Sequence, residues 1–237
     1  MTKLWSPICE RLGIENPIFG FAHDVEAVAA ITNAGGYGVY GATRRFPHEI
    51  KEELAAIRKL VGDKAFGVDL VLPPGMPEHN SREAIEAEIP EEHKAFVEKL
   101  IDKFQVPTAT QPGMRTRFIR STEIEEEQIQ AVLDSSVDMF ACGIGAPAHV
   151  MKAAKARGKT TLALIGSPHH VQRAIDAGVE ILVAQGYDAG AHTGPIGTYS
   201  LVPQIVDAAG DTPVLVAGGV ATGRHIAAAL AMGAQGV

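Results

Sequence analysis

The sequence predicts an α/β fold, a (β/α)8 barrel, on three observations. First, an alanine-rich helical stretch that ends in glycine and runs into an apolar strand recurs along the chain. Examples are VEAVAAITNAGGYGVYGA (25–42), HVMKAAKARGKTTLALIG (149–166), HVQRAIDAGVEILVAQG (170–186) and LVPQIVDAAGDTPVLVAGG (201–219). Second, the strands are continuous apolar runs rather than alternating ones, the pattern of parallel strands covered on both faces. Third, eight such units can be counted, more than a doubly wound open sheet usually holds. The open sheet is further disfavoured by GFAHDVEA after the first strand, which has no glycine-rich phosphate fingerprint.

Taken in order, strands are expected near 17–21 (PIFGF), 37–42 (YGVYGA), 65–72 (AFGVDLVL) and 137–143 (VDMFACG). Others follow near 160–166 (TTLALIG), 179–185 (VEILVAQ) and 212–217 (TPVLVA). The glycine behind each helix suits a left-handed position that other residues fill only with strain. Residues 73–126 break the repeat: PPGMPEHNSRE, a charged helix at 91–104, then VPTATQPGMRTRFIRSTE. This is expected to be an insertion on the third β-α connection, either a lid at the C-terminal mouth or plain decoration. An eighth strand begins at 234 (AQGV). The expected architecture is therefore one barrel domain over 1–237, truncated in strand 8, with the end of the barrel missing.

The totals narrow the function. A chain of 237 residues with 46% hydrophobic content can bury a large core. A net charge of −7 without a basic cluster argues against nucleic acid. No apolar run reaches the length of a membrane span, and the start lacks the apolar stretch of a secretory signal. Cys9 and Cys142, the only cysteines, point to buried thiols in the cytoplasm rather than a disulfide framework.

Barrel enzymes place their chemistry on the loops that follow the strands. In AGGVATGRH, Gly218, Gly219 and Gly223 open a helix whose free N–H groups and positive dipole end make a phosphate site. A glycine turn needed only for packing is the alternative. In AQGYDAGAHTG, Gln185 ends the sixth strand with an amide that can address the edge of a planar ring. Gly186, Gly190 and Gly194 let the loop fold back, and His192 then projects toward the mouth. A surface histidine without a role is the competing reading. His169 and His170 lack an accompanying acid or thiol cluster, so no metal is expected. There is no G-x-S-x-G elbow, and Cys142 reads as a small core residue before it reads as a nucleophile.

AQGYDAGAHTG, LVPQIVDA and TPVLVAGGVATGRHIAAALAMGAQGV together resemble the nitronate monooxygenase family, formerly called 2-nitropropane dioxygenases. The segments NPIFGFAHDVEAVAAITNAGGYGVYG and FGVDLVLP are similar to the family's first β-α-β unit and third strand. The resemblance implies an FMN-dependent TIM barrel. It places His192 on the family's active-site histidine and Gln185 beside the flavin, with Gly190 in the same loop. Gly218 and Gly219 fall on the glycines that hold the FMN phosphate, and Gly20, Phe21 and Ala22 on the segment lining the ring. Asp69 stands where the family usually has asparagine. A carboxylate there must lower the flavin potential or stay protonated.

The activity so implied is oxidation of alkyl nitronates, or the parent nitroalkanes, to carbonyl compounds and nitrite with O2. The flavin carries the redox chemistry, while His192 deprotonates the nitroalkane or holds the nitronate. An NAD(P)H-dependent quinone or enoyl-ACP reductase on the same fold is the rival, with NAD(P)H as a further partner. A flavin- or phosphate-binding barrel without turnover is the non-enzymatic alternative. Neither nucleic acid nor membrane is expected as a partner, and a homo-oligomer is compatible with everything above.

Overall fold

A computed structural model describes residues 4–78, 81–111, 113, 118–190 and 192–237. By its contacts the chain divides into two units, one of Met1–Pro74 with Gln128–Val237 and one of Gly75–Glu127. The second covers nearly the same residues as the stretch, 73–126, that breaks the repeat in the sequence.

The larger unit begins with α1 (Pro7–Leu12), β1 (Phe19–Ala22), α2 (Val25–Asn33), β2 (Tyr37–Gly41), α3 (Pro47–Val61) and β3 (Gly67–Val71). The smaller unit contributes α4 (Arg82–Glu88), α5 (Glu91–Phe104) and the start of α6 (Thr122–Leu133). The chain continues with β4 (Met139–Ile144), α7 (Ala148–Ala156), β5 (Thr160–Ile165), a 3-10 turn at Pro168–His170, and α8 (Val171–Asp176). Then come β6 (Ile181–Gln185), α9 (Thr198–Ala209), β7 (Val214–Ala217) and α10 (Gly223–Ala231). The seven strands are parallel and ordered β1-β2-β3-β4-β5-β6-β7, each beside its sequence neighbour. Each lies within one or two residues of its expected place. The glycines behind α2, α7, α8, α9 and α10 all take positive φ, from 57° at Gly210 to 98° at Gly178.

Alternation along the strands sorts the core into two layers. Tyr40, Val68, Leu70, Phe140, Cys142, Leu182 and Val216 face the helices and pack with residues such as Leu54, Ile57, Val150 and Ile205. Tyr37, Val39, Met139, Ala141, Leu162, Ile181, Val183 and Leu215 face the other way and pack with one another. Both faces are dry, which explains why the strands read as unbroken apolar runs. Ile8 and Cys9 join the inner layer, so α1 covers the N-terminal end of the strands. This short helix was not anticipated. Both cysteines are buried thiols outside any disulfide among the described residues, and Cys142 lies at 0% exposure on the helix-facing side.

The segment expected to open the eighth strand lies beside β7. Leu215 and Gly236 form an isolated parallel bridge. The Val216 N–H donates to the Gly236 carbonyl (3.0 Å) and the Gln235 N–H to that of Val214 (2.8 Å). On the other side, Phe19 N–H donates to Val237 (2.7 Å) and Val237 N–H to Pro17 (3.0 Å). Residues 235–237 therefore bond to both edge strands, β7 and β1. The Ser6 hydroxyl donates to the Gln235 carbonyl and ties the α1 entry to the same segment.

In the smaller unit, α5 fills the expected charged helix at 91–104, while α4 was not foreseen. Ser81 caps α4 by accepting from Ala84 N–H at 3.1 Å. Thr122 opens α6 by donating its hydroxyl to the Met76 carbonyl at 3.1 Å.

Candidate functional site

With the N-terminal end of the inner layer filled, the inward positions left at the C-terminal strand ends define the mouth. They are Phe21 on β1, Gly41 on β2, Asp69 on β3, Gly143 on β4 and Gln185 on β6. Phe21 is 57% exposed and meets the His23 ring edge-on at 4.9 Å. The His23 Nδ1 lies 2.8 Å from the Gly41 carbonyl. Of the expected triplet at the end of β1, only Phe21 turns inward. A side chain at Gly20 would strike Ile31 of α2 at 2.6 Å, and Ala22 packs on the helix-facing core. At those two positions only the backbone is available to a ligand at the mouth.

The β6 loop brings two expected residues together. Gln185 Nε2 donates to the His192 backbone carbonyl at 2.7 Å. The end of the strand thus pins the loop, while the His192 imidazole remains exposed. The loop glycines differ in necessity. A side chain at Gly194 would come within 2.7 Å of the Gly166 carbonyl in the β5 loop, whereas one at Gly190 would meet nothing within 4 Å. Space therefore does not require glycine at 190, contrary to the simple reading of a glycine frame. Ala191 lies outside the described residues.

Thr198 is the joint of the site, and sequence reasoning missed it. It is buried at the first turn of α9. Its N–H donates to Asp188 Oδ2 at 2.9 Å and its hydroxyl to the Gly218 carbonyl at 2.9 Å. One residue thereby links the β6 loop, the α9 N-terminus and the turn after β7. The bond from the Thr198 backbone N–H is the main cause that holds the Asp188 carboxyl below its ordinary range. The available signal was a threonine opening a helix just behind a catalytic-type loop.

Gly218 and Gly219 have φ of 107° and 71°, and Thr222 caps α10 by accepting from His225 N–H at 3.4 Å. The His225 Nδ1 in turn accepts from Ala221 N–H at 3.1 Å, which leaves Nε2 as the ring's donor. A cavity of about 120 Å³ lies here, lined by Thr198, Gly218, Gly219, His225 and Met232 among others. A methyl group at Gly218 would sit 2.9 Å from Thr198 Oγ1 and 3.0 Å from the Gly186 carbonyl. Strained φ and close backbone together give Gly218→Ala an expected cost on the order of 2–3 kcal/mol. Gly190→Ala is expected to be near neutral. Urea unfolding of both variants checks the pair; equal midpoints would show that the β7 turn has no need of its glycine.

Asp69 is the one buried acid among the described residues, at 6% exposure. It pairs in register with Gly41 and Ala141. A side chain at Gly143 would stand 3.3 Å from both of its carboxyl oxygens, so β4 leaves the acid its room. Burial pushes Asp69 up to about 7, against the opposing effect of the Gly143 N–H. Among the described residues no group of three or more His, Cys, Asp and Glu side chains is arranged to hold a metal. No helix among them is long and apolar enough to cross a membrane.

These features define a parallel α/β barrel-type protein with its polar groups gathered at the C-terminal strand ends. The nitronate monooxygenase family model matches residues 7–237, and the chain belongs to that family. It is 39% identical over 243 residues to the "Putative monooxygenase Rv1533" of Mycobacterium tuberculosis, covering 97% of this chain and 64% of that protein. It is 29% identical over 250 residues to a "Probable nitronate monooxygenase" of Staphylococcus aureus, covering 97% and 65%. Among solved structures, a nitroalkane oxidase from Streptomyces ansochromogenes superposes with a TM-score of 0.75 at 25% identity over 97% of this chain and 65% of that one. FabK from Thermotoga maritima, at 23% identity and a TM-score of 0.72 over 99% and 60%, shares the fold. The chain thus spans less than two-thirds of the length of these relatives.

Proposed function

We propose that this chain belongs to an FMN enzyme that oxidises alkyl nitronates or nitroalkanes to carbonyl compounds and nitrite with O2. The observation that carries the reading is the Gln185–His192 contact, which ties the backbone bearing an exposed imidazole to the end of β6 in a chain of this family. The residues present fit the cofactor. Gly218 and Gly219 leave a cradle that side chains would fill, and the N–H groups at the start of α10 offer donors to a phosphate. Phe21, Asp69, Gln185 and the backbone of Gly20, Ala22 and Gly190 are the groups assigned to the ring side of the mouth. When bound, FMN supplies the electron transfer and the reaction with oxygen.

The chain's own residues hold and move the proton. The His192 imidazole takes the acidic hydrogen from the carbon bearing the nitro group, or orients the anion when it arrives ionised. Gln185 sets the loop height through the backbone, leaving the imidazole free for this work. Thr198 locks the β6 loop to the phosphate turn, so the proton-accepting and phosphate-holding ends keep one spacing. Residues 235–237, bonded to β7 and β1, are read as part of the eighth strand of a (β/α)8 barrel. The buried, unbridged cysteines agree with a cytoplasmic setting.

A second reading has one observation in its favour. A Mycobacterium tuberculosis relative, 25% identical over 241 residues, is named as a carboxyl-CoA dehydrogenase and spans 99% of this chain. The test is nitrite release from ethyl nitronate in air by the flavin-loaded protein, beside anaerobic addition of NADH. Nitrite with little NADH oxidation is expected. Rapid bleaching by NADH without nitrite would replace the main reading with a reductase.

A further inference from the structure

We propose that Asp69 is a neutral carboxylic acid that donates its hydrogen bond to an electron-rich heterocycle seated on the strand ends, and that its ionisation releases this ligand. The inference rests on the flavin reading above and adds to it a proton that controls retention of the cofactor.

The geometry is specific. Asp69 lies on the inward face of β3 in the last layer before the mouth, with Gly41 and Ala141 as its register partners. Above Ala141 the inward position is Gly143, whose missing side chain accommodates the carboxyl group. The surrounding inward residues offer no counter-charge. On β2 these are Val39 and Gly41; on β4 they are Met139, Ala141 and Gly143; none ionises. The titratable groups on the adjoining loop segments are already placed. His23 is bonded to the Gly41 carbonyl, and Arg45 is paired with Glu53 at 2.9 Å. Arg44 follows β2 and His149 follows β4, and neither perturbs Asp69, whose proton affinity is set by burial and opposed only by the Gly143 N–H. Among the described residues, a carboxylate so enclosed has lost its water without gaining a cation, and protonation is the cheapest relief.

A protonated acid differs from asparagine at this place in one respect: it can lose its donor. In the neutral state the O–H serves a carbonyl or ring nitrogen of the heterocycle. In the ionised state the same oxygens face an electron-rich acceptor and a phosphate-bearing ligand of like charge. Because the ligand binds the protonated form, its affinity is level below the transition and falls about tenfold for each pH unit above it.

Two measurements test this. The first needs no cofactor. Infrared spectra of the protein from pH 5 to 8 are expected to show a protonated-carboxyl band surviving at pH 6, where ordinary carboxyls are ionised, and fading toward pH 8. Asp69→Asn is expected to remove it. Absence of that band in the wild-type chain would overturn the proposal whatever the cofactor. The second is FMN binding, read by fluorescence between pH 6 and 9. The cofactor's own phosphate titrates, so D69N, which meets the same phosphate, is the reference. Wild-type affinity is expected to fall relative to D69N by about a hundredfold two units above the transition. Parallel curves together with the infrared band would overturn the ring contact and leave the flavin reading standing. No FMN binding by either protein at any pH would overturn both.

Discussion

Replacing His192 by asparagine is expected to lower turnover of neutral nitroalkanes by about 10²–10⁴-fold, the usual worth of a positioned general base. The variant is clean for a structural reason. The bond that anchors the β6 loop uses the His192 backbone carbonyl, not its ring, so Gln185 keeps its 2.7 Å partner in the variant. The imidazole is exposed, and its loss should change folding stability by no more than about 0.5 kcal/mol. Preformed nitronates separate the two roles open to the ring. If His192 works as the base, nitronate turnover stays near the wild-type rate while nitroalkane turnover collapses. If it mainly orients the anion, both fall together. Equal nitroalkane rates for the variant and the wild type, at matched flavin content, would remove His192 from the mechanism.

The strands and their parallel arrangement were legible because burial on both faces leaves no polar interruptions in runs such as VEILVAQ. The glycine turns were legible for a similar local reason, since the positive-φ positions behind α2, α7, α8, α9 and α10 all carry glycine. What escaped was set by contacts between distant segments. The six residues of α1 are too few to show a period, and their apolar members matter only because the strand interior lies beneath them. Thr198 resembles any helix-opening threonine until its hydroxyl is seen on Gly218, twenty residues away. Inward and outward directions at the end of β1 could not be told from GFAH, since a one-residue change of phase exchanges Gly20 with Phe21. The reverse error concerns Gly190, where a glycine-rich loop suggested crowding and the space is open. Composition marks where a loop can be tight; only neighbours determine which of its glycines must be.

Asp69 gives the largest expected effect on stability, and its sign follows from proton counting. Folding raises the carboxyl from an ordinary 3.8 to about 7. Between these values the native state holds a proton that the unfolded chain has released. The unfolded state then binds fewer protons, so stability falls as pH rises through this window and levels off above about 7. At about 1.4 kcal/mol per unit, the full excursion is roughly 4 kcal/mol. Asparagine has the same outline, keeps an oxygen for the Gly143 N–H and carries no proton to lose. Urea unfolding at pH 5, 6, 7 and 8 is therefore expected to show wild-type stability dropping relative to Asp69→Asn, with most of the change complete by pH 7. The comparison between the two chains cancels the titration of all other groups. Curves that stay parallel across the range would mean that the carboxyl keeps enough water to ionise normally, and the acid would then have no reason to remain protonated beneath a ligand.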